Sequence, residues 1–351
     1  MPDAKIPLLI DVDTGIDDAL GLLYACASPE ADLLGVTTVA GNVDLTLATR
    51  NTRAVLALAG RATLPVWAGC GRALQRARED ARHIHGASGL GHATLPDPGP
   101  LNDRRHAVDQ IIALAKAHAG ALVLVATGPL TNVALALMRE PAVASQLRRL
   151  VLMGGAYKEG GNSTPTAEFN IWHDPDAARI VFRSFSEEGA ARLVAVGLDV
   201  TRQTQLTPEH VTALADRIAG TPRAADLIRF LEDSTRYYFE GMERREGRRY
   251  LIMHDPLAVA AALDPSLIDT QGVAVDVETA SPLTIGMTVA DWRGKWGRTP
   301  NAEVAVGVRA CRMIAQFLER MERLVAAISG TVAEDGECAR QKNTHAECEK
   351  R

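Results

Sequence analysis

The sequence predicts an α/β fold, built on an open and mostly parallel Rossmann-like sheet that carries helices on both faces. Short, continuously apolar runs alternate along the chain with longer stretches of helical periodicity. Parallel strands are buried on both faces, so they are apolar throughout rather than at every second residue. Strands that alternate with helices indicate βαβ units. The length of 351 residues and the apolar content of 47% allow a core of ordinary size.

Six apolar runs are the predicted strands of this sheet. They cover residues 6–10, 33–39, 121–126, 150–153, 193–196 and 304–308. Helical periodicity covers residues 17–27, 45–59, 103–119, 222–246 and 257–263, and a last helix ends near residue 328. Residues 273–277 and 284–289 are predicted to form a pair of strands.

The chain is predicted to form a single domain over residues 1–330, because no internal repeat or linker interrupts them. The composition changes after Gly330, where polar and charged residues dominate. Residues 331–351 have too little apolar content to pack, so they are predicted to be a disordered C-terminal tail.

Composition excludes several classes of protein. The net charge is −5 and no block of basic residues is present, which argues against a nucleic-acid partner. No apolar run reaches the roughly 18 residues that a membrane span requires. The N-terminus has no signal-peptide core, and the five cysteines form no Cys-x-x-Cys pair. The expectation is a soluble cytoplasmic protein.

Four carboxylates stand within eight residues where the first predicted strand ends: Asp11, Asp13, Asp17 and Asp18. Their mutual repulsion is costly unless a positive charge lies among them, and a hard cation with oxygen ligands is the simplest remedy. Helix capping is the alternative for the last two. The Asp-x-Asp-x-Thr/Val motif of haloacid dehalogenase-type phosphatases is a further alternative, but Gly15 and the second acidic pair fit it poorly.

Further oxygen ligands follow other predicted strands and turns. Residues 127–132 follow a strong strand, and Pro129 fits the first turn of a helix. His254 and Asp255 precede a proline at the start of another helix, where an aspartate is often only the N-cap. Because ligands bind at the carboxyl ends of the strands in such sheets, these segments together predict one acidic crevice.

Six motifs resemble the inosine–uridine-preferring nucleoside hydrolases. They are DVDTGIDDA (11–19), VAGN (39–42), TGPLTN (127–132), MGG (153–155), AEFN (167–170) and HDP (254–256). The matches occur in the family's order and extend over most of the chain, from residue 6 to about 330. The resemblance implies the nucleoside hydrolase fold and calcium-dependent, inverting hydrolysis of the N-glycosidic bond of a ribonucleoside, which releases ribose and a free base.

The resemblance also implies a Ca²⁺ site. Its protein ligands would be the side chains of Asp13, Asp18 and Asp255 and the carbonyl of Thr127, with water and two ribose hydroxyls completing the shell. A shell of many oxygens suits Ca²⁺ better than Mg²⁺. Asp13 would be the general base that activates the attacking water.

Other matched positions would bind the ribose and the base. The ribose ligands would be Asp17, Asn42, Asn162, Glu168, Asn170 and the backbone of Met153. Taken alone, Asn42 and Asn162 would be ordinary turn residues. His254 would donate a proton to the leaving base, and His85 would contact the base from a glycine-rich flap over residues 83–91, which is otherwise a turn-rich connection. Relatives often carry an acid where this chain has Ala87, and His83 is expected to be exposed.

His254 stands where purine-specific members have Trp, which implies the pyrimidine-preferring or nonspecific inosine–uridine type. Residues 237–250 would add base contacts, although their arginines are equally typical of a solvated helix face. The alternatives are a hydrolase of another ribosyl substrate and a catalytically silent ribose- or nucleoside-binding relative. A homodimer or homotetramer is expected by analogy alone.

Overall fold

The computed structural model describes residues 4–77, 80–101, 103–186, 189–220 and 222–329. The strands are β1 (Ile6–Val12), β2 (Ala31–Thr38), β3 (Val66–Ala68), β4 (Val123–Ala126), β5 (Arg149–Met153), β6 (Arg192–Val196), β7 (Gln205–Leu206), β8 (Leu251–Ile252), β9 (Ile268–Val273), β10 (Val275–Val277), β11 (Thr288–Ala290) and β12 (Ala302–Val308). The predicted tail, 331–351, lies outside the described residues, so the predicted division into domain and tail stays a prediction.

Thirteen α-helices occur within the described ranges. They are α1 (Ile16–Ala27), α2 (Leu45–Leu58), α3 (Arg82–His85), α4 (Ala107–Ala117), α5 (Thr131–Arg139), α6 (Val143–Gln146), α7 (Phe169–His173), α8 (Pro175–Ser184), α9 (Leu198–Thr201), α10 (Pro208–Ile218), α11 (Pro222–Glu246), α12 (His254–Leu263) and α13 (Ala310–Ile328). None of these helices combines the length and the apolar character that a membrane crossing requires.

Eight strands form the central sheet in the order β3-β2-β1-β4-β5-β6-β12-β9. All neighbouring strands are parallel except β12 and β9, which are antiparallel. The first six strands follow the doubly wound order, in which the chain reverses its direction of travel between β1 and β4. Antiparallel two-stranded sheets are formed by β10 with β11 and by β7 with β8. The predicted α/β fold with an open, mostly parallel sheet is confirmed.

Apolar clusters cover both faces of the sheet, as continuous apolar strands require. On one face Leu20 of α1 and Phe317 of α13 are fully buried with the first strands. On the other face Ile111, Leu137 and Phe182 pack from α4, α5 and α8. These two layers fix the strand ends, so the loops at the carboxyl edge have a rigid support.

The predicted elements differ from the structure mainly where the chain is polar. The strand β9 was not predicted, because four of its six residues are exposed and polar or glycine at the sheet edge. The predicted helix 103–119 is shorter and begins after His106, whose ring nitrogen accepts the backbone N–H of Val108 and caps it. The second strand of the predicted 273–289 pair starts only at Thr288.

Candidate active site

A cavity of about 560 Å³ opens at the carboxyl ends of the central strands, beside the point where the strand order reverses. Most of the residues that the sequence predicted for the site line this cavity. They are Asp17, Asn42, His85, Thr127, Met153, Asn162, Glu168, Asn170, His254 and Asp255. Asp13 and Asp18 are not among the described lining residues, because both are fully buried behind them.

The loop between β1 and α1 brings its carboxylates into the interior. Asp18 accepts the backbone N–H of Gly15 at 2.9 Å and the side-chain amide of Asn42 at 3.0 Å through one oxygen. Its other oxygen accepts the hydroxyl of Thr127 at 2.8 Å. Asp18 therefore caps α1, as the capping alternative proposed, and it also joins three loops at the floor of the site.

Asp13 and Asp17 each keep one buried oxygen without a hydrogen-bond donor. Oδ2 of Asp13 accepts the backbone N–H of Asn42 at 2.6 Å, whereas Oδ1 of Asp13 and Oδ1 of Asp17 have no partner among the described residues. Ligand atoms of Asp17, Asp18 and Asp255 lie within 4.8 Å of one another. The predicted ligand set differs from this group, because it includes Asp13 and places Asp17 on the ribose.

Burial and mutual repulsion make these carboxylates weak acids. Burial, together with the charge of Asp18, raises the pKa of Asp13 well above its usual range and the pKa of Asp17 to about 7. Burial, together with the charges of Asp17 and Asp18, also raises the pKa of Asp255 well above its usual range. Since unpaired buried charges are costly, the cluster retains protons unless a cation neutralises it. An all-oxygen donor set with orphaned oxygens fits a hard divalent cation.

The start of α12 corrects one alternative from the sequence. The helix begins at His254 with Met253 as its N-cap residue, so Asp255 lies inside the first turn and is not the cap. In the same way α5 begins at Thr131, after Pro129, which is therefore not in its first turn. Both Asp255 and Thr127 line the cavity.

The two histidines of the site are held through the same ring atom. Nδ1 of His85 accepts the backbone N–H of Ile16 at 3.0 Å, and Nδ1 of His254 lies 2.8 Å from Oγ1 of Thr201. Burial lowers the pKa of each imidazole to about 3, so both rings are neutral at pH 7. A neutral imidazole can still donate a hydrogen bond from the ring nitrogen that carries the proton.

The predicted flap is a short helix followed by glycines. It comprises α3 and a turn-rich segment in which Gly86, Gly89 and Gly91 take positive φ angles. His85, at the end of α3, is buried, whereas His83 is exposed as predicted. The flap therefore carries one histidine into the cavity and leaves the other at its rim.

The predicted ribose ligands also hold the loops that carry them. The amide nitrogen of Asn170 donates to the carbonyls of Thr127 at 2.7 Å and Met153 at 3.1 Å. Glu168 caps α7 by accepting two of its backbone N–H groups, and Asn162 accepts a third from Phe169. Asn170 therefore has its amide oxygen left for a ligand.

The sequence predicted base contacts from residues 237–250 without naming the residues that would make them, and it assigned no role to Arg202. Tyr238, Met242, Arg245 and Glu246 reach the cavity from α11, and Arg202 reaches it from the turn after α9. Within the helix, the spacing of Tyr238 and Met242 is that of one helix face and was a usable signal. The arginines of residues 237–250 fall into two groups. Arg245 lines the cavity, whereas Arg244, Arg248 and Arg249 are exposed outside it.

Comparisons with known proteins agree with this geometry. The family profile described as "Inosine-uridine preferring nucleoside hydrolase" matches residues 8–315. An inosine-uridine preferring nucleoside hydrolase of Leishmania major is 39% identical over 90% of this chain and 98% of its own length. A pyrimidine-specific ribonucleoside hydrolase of Escherichia coli is 38% identical over the same shares.

A solved structure shares the architecture. The purine-preferring ribonucleoside hydrolase from Gardnerella vaginalis is 36% identical and superposes with a TM-score of 0.84 over 92% of this chain and 99% of its own. The family profile covers nearly the whole sheet and every motif of the site. The chain therefore belongs to the inosine-uridine preferring nucleoside hydrolase family and is a nucleoside hydrolase.

Proposed function

We propose that this enzyme uses Ca²⁺ to hydrolyse ribonucleosides to ribose and a free base, with inversion at the anomeric carbon. The observation that carries the proposal is the set of buried carboxylates Asp13, Asp17, Asp18 and Asp255, of which Asp13 and Asp17 each keep an oxygen without a hydrogen-bond donor in the described structure. The single-sign charge of this cluster is hard to explain unless a cation or a cationic transition state occupies the adjacent cavity.

The side chains of Asp13, Asp18 and Asp255 and the carbonyl of Thr127 would hold the Ca²⁺. Asp17 is a further candidate, since its ligand atom lies within 4.8 Å of those of Asp18 and Asp255. When bound, the ion would lower the pKa of the attacking water and orient the ribose hydroxyls. The proposed ligand set contains only oxygen, which is the donor that Ca²⁺ prefers.

Asp13 is the proposed general base. Its Oδ2 is held by the backbone of Asn42, so the carboxylate cannot rotate freely, and Oδ1 is left to accept a proton from water. In an inverting reaction the base acts on the face of the sugar opposite the leaving group. His254 would therefore act on the other face.

Oxygen atoms around the sugar would stabilise the oxocarbenium-like transition state. Glu168, Asp17 and the amide oxygen of Asn170 surround the cavity, and their negative or partial negative charge opposes the positive charge that develops on the ribose. Glu168 and Asn170 are already held by hydrogen bonds to the backbone, so they would need little reorganisation during the reaction.

For the base, we propose the pyrimidine-preferring or nonspecific inosine–uridine type. His254 lines the cavity at the position where purine-specific members have Trp. A neutral imidazole can donate a hydrogen bond to the oxygen or nitrogen of a departing uracil or hypoxanthine. The relatives named above include pyrimidine-specific and purine-preferring enzymes, so the family alone does not decide this preference.

Hydrolysis of another ribosyl substrate and a silent binding role are the alternatives. The silent binding role is the less favoured alternative, because every matched ribose ligand either lines the cavity or supports it. A cytoplasmic homodimer or homotetramer stays a prediction.

The test measures ribose release from uridine, cytidine, inosine and adenosine by the chelated protein, before and after Ca²⁺ is restored. We expect no release after exhaustive chelation, recovery with Ca²⁺, and faster release from uridine and inosine than from adenosine. Release that is indifferent to chelation would refute the calcium role. No release from any of the four by folded, Ca²⁺-loaded protein would favour another ribosyl substrate or a binding role.

A further inference from the structure

Thr201 is a buried threonine outside all the motifs of the site. It is the last residue of the four-residue helix α9, which follows β6 after Gly197, and its exposed fraction is 0%. It is not among the described residues that line the cavity. Its Oγ1 nevertheless lies 2.8 Å from Nδ1 of His254, which does line it.

The segment that carries Thr201 also holds the backbone beside His254. Thr204 accepts the N–H of Met253 at 2.8 Å through its carbonyl. The adjoining strands β7 and β8 pair, with Gln205 opposite Ile252. Main chain and imidazole are therefore anchored to one segment, which leaves the ring little freedom to rotate.

The contact determines which ring nitrogen can serve the cavity. Thr201 lies behind the lining residues and occupies Nδ1, so Nε2 is the nitrogen of His254 that is available to a ligand. In a neutral imidazole one nitrogen donates and the other accepts, whereas a hydroxyl can do either. A threonine hydroxyl that donates to Nδ1 leaves the proton on Nε2.

His85 shows the same arrangement with an unambiguous donor. The backbone N–H of Ile16 can only donate, so the Nδ1 of His85 that it contacts at 3.0 Å is the acceptor, and the proton is on Nε2. Both imidazoles of the cavity are thus anchored at Nδ1 from the protein side.

We propose that Thr201 is a positioning residue, whose hydroxyl holds His254 with its Nε2–H directed at the leaving base. This inference rests on the proposed hydrolysis and adds a residue to it. Loss of the hydroxyl should matter only when the base needs help to leave. Uracil and hypoxanthine are poor leaving groups, whereas 4-nitrophenolate leaves without a donor.

The experiment compares Thr201→Val, which keeps the shape and removes the hydroxyl, with Thr201→Ser, which keeps the hydroxyl. We expect Thr201→Val to lower kcat/KM for uridine and inosine by about 10- to 100-fold, as the loss of part of an acid–base contribution. Its kcat/KM for 4-nitrophenyl riboside should change by less than about threefold, and Thr201→Ser should stay within about threefold on all substrates.

Thr204→Val is the matched control. Thr204 is a fully buried threonine three residues further on, and its hydroxyl has no hydrogen-bond partner in the described structure. Its replacement should leave unchanged the ratio of kcat/KM for uridine to kcat/KM for 4-nitrophenyl riboside. A general effect of burying a valine in this segment would appear in both Thr201→Val and Thr204→Val.

A double variant tests whether Thr201 acts through His254. Adding Thr201→Val to His254→Ala should cause no further loss on uridine, because residues that act as a unit are not additive. Equal losses on uridine and the aryl riboside, no loss on either, or an additive loss in the double variant would overturn the assignment of Thr201. Wild-type enzyme that releases no ribose would instead overturn the proposed hydrolysis, and the Thr201 assignment with it.

Discussion

At the scale of single residues, the two oxygens of Asp13 have different roles. Oδ2 is tied to the backbone of Asn42 at 2.6 Å, and Oδ1 is buried with no donor among the described residues. A buried carboxylate oxygen without a donor costs free energy in the absence of a ligand. This arrangement lowers the stability of the folded protein at the position where the proposed reaction needs a base.

We expect Asp13→Asn to lower kcat for uridine by at least about 1,000-fold, because the amide cannot accept the proton from water. The amide keeps the shape of the side chain and, like the protonated carboxyl group, carries no charge, so the melting temperature of the metal-free protein should not fall. Steady-state kinetics and thermal unfolding check the two expectations.

Asp109→Asn is the control for this variant. Asp109 is exposed and forms a surface ion pair with Arg139, so its replacement should leave kcat unchanged. Activity of Asp13→Asn within tenfold of the wild type would exclude Asp13 as the base.

At the scale of secondary-structure elements, α2 connects the carboxylate loop to the flap. The side-chain amide of Asn51 is buried and donates to the carbonyl of Thr14 at 3.2 Å and to that of Ser88 at 2.8 Å. Thr14 lies in the loop between β1 and α1, and Ser88 lies in the glycine-rich segment after α3. One side chain therefore keeps the flap, and with it His85, against the floor of the site.

Asn51→Ala should raise KM for uridine by about tenfold, because the carbonyls of buried Thr14 and half-buried Ser88 lose their donor. The flap should also become more susceptible to limited proteolysis within residues 82–91. Kinetics and mass spectrometry of the cleavage products measure both effects.

Arg53→Ala is the comparison on the same helix. The guanidinium of Arg53 donates to the carbonyls of Pro98 and Gly99, outside the flap, so this variant should keep the wild-type KM. If both variants raise KM equally, α2 acts through general stability and not through the link from Asn51 to the flap.

At the scale of the whole molecule, the buried carboxylates make stability depend on pH and on the cation. A carboxyl group whose pKa is raised on folding stabilises the protein while it remains protonated, and this contribution is lost as pH rises through the folded pKa. For Asp17 that value is about 7, and for Asp13 and Asp255 it lies well above the usual range. His85 and His254 have lowered pKa values, so they make stability rise with pH, but only below the ordinary histidine pKa of 6.5.

The free energy of unfolding of the metal-free protein should therefore fall between pH 6.5 and pH 7.5, as the pH passes the folded pKa of about 7 of Asp17. Each carboxyl group that stays protonated contributes about 1.4 kcal/mol per pH unit to the decrease. Ca²⁺ at saturating concentration should remove the decrease, because it stabilises the ionised carboxylates that the pH rise creates. Urea unfolding at both pH values, with chelator and with Ca²⁺, provides the measurement. Identical slopes in the two conditions would contradict a cation site in this cluster.

The accuracy of the prediction differs among these scales for physical reasons. The parallel strands were predictable because burial on both faces makes them continuously apolar, and α11 has the predicted bounds. The edge strand β9 was not predictable, because its exposed residues have no apolar pattern. The short helix α7 depends on the side-chain cap that Glu168 provides, and α9 directly follows the end of β6; local periodicity shows neither feature.

The candidate site divides in a similar way. Dense local motifs contain the carboxylates from Asp11 to Asp18, Glu168 and Asp255, so the sequence alone predicted their chemistry. Thr201 acts through one hydrogen bond, to His254, 53 positions further along the chain. Asn51 acts through two, to Thr14 and Ser88, each 37 positions away. A lone threonine or asparagine in a helix gives no signal of such a partner.

The sequence alone therefore determined the fold class, the acidic crevice at the carboxyl edge and the family resemblance, since each depends on patterns repeated within short segments. Only the tertiary structure decided that Asp255 is inside its helix and not its cap, that Asp17 lies among the potential ligands, and that both histidines are anchored at Nδ1. These features depend on distances between segments far apart in the chain, and such distances exist only once the sheet has brought its strand ends together.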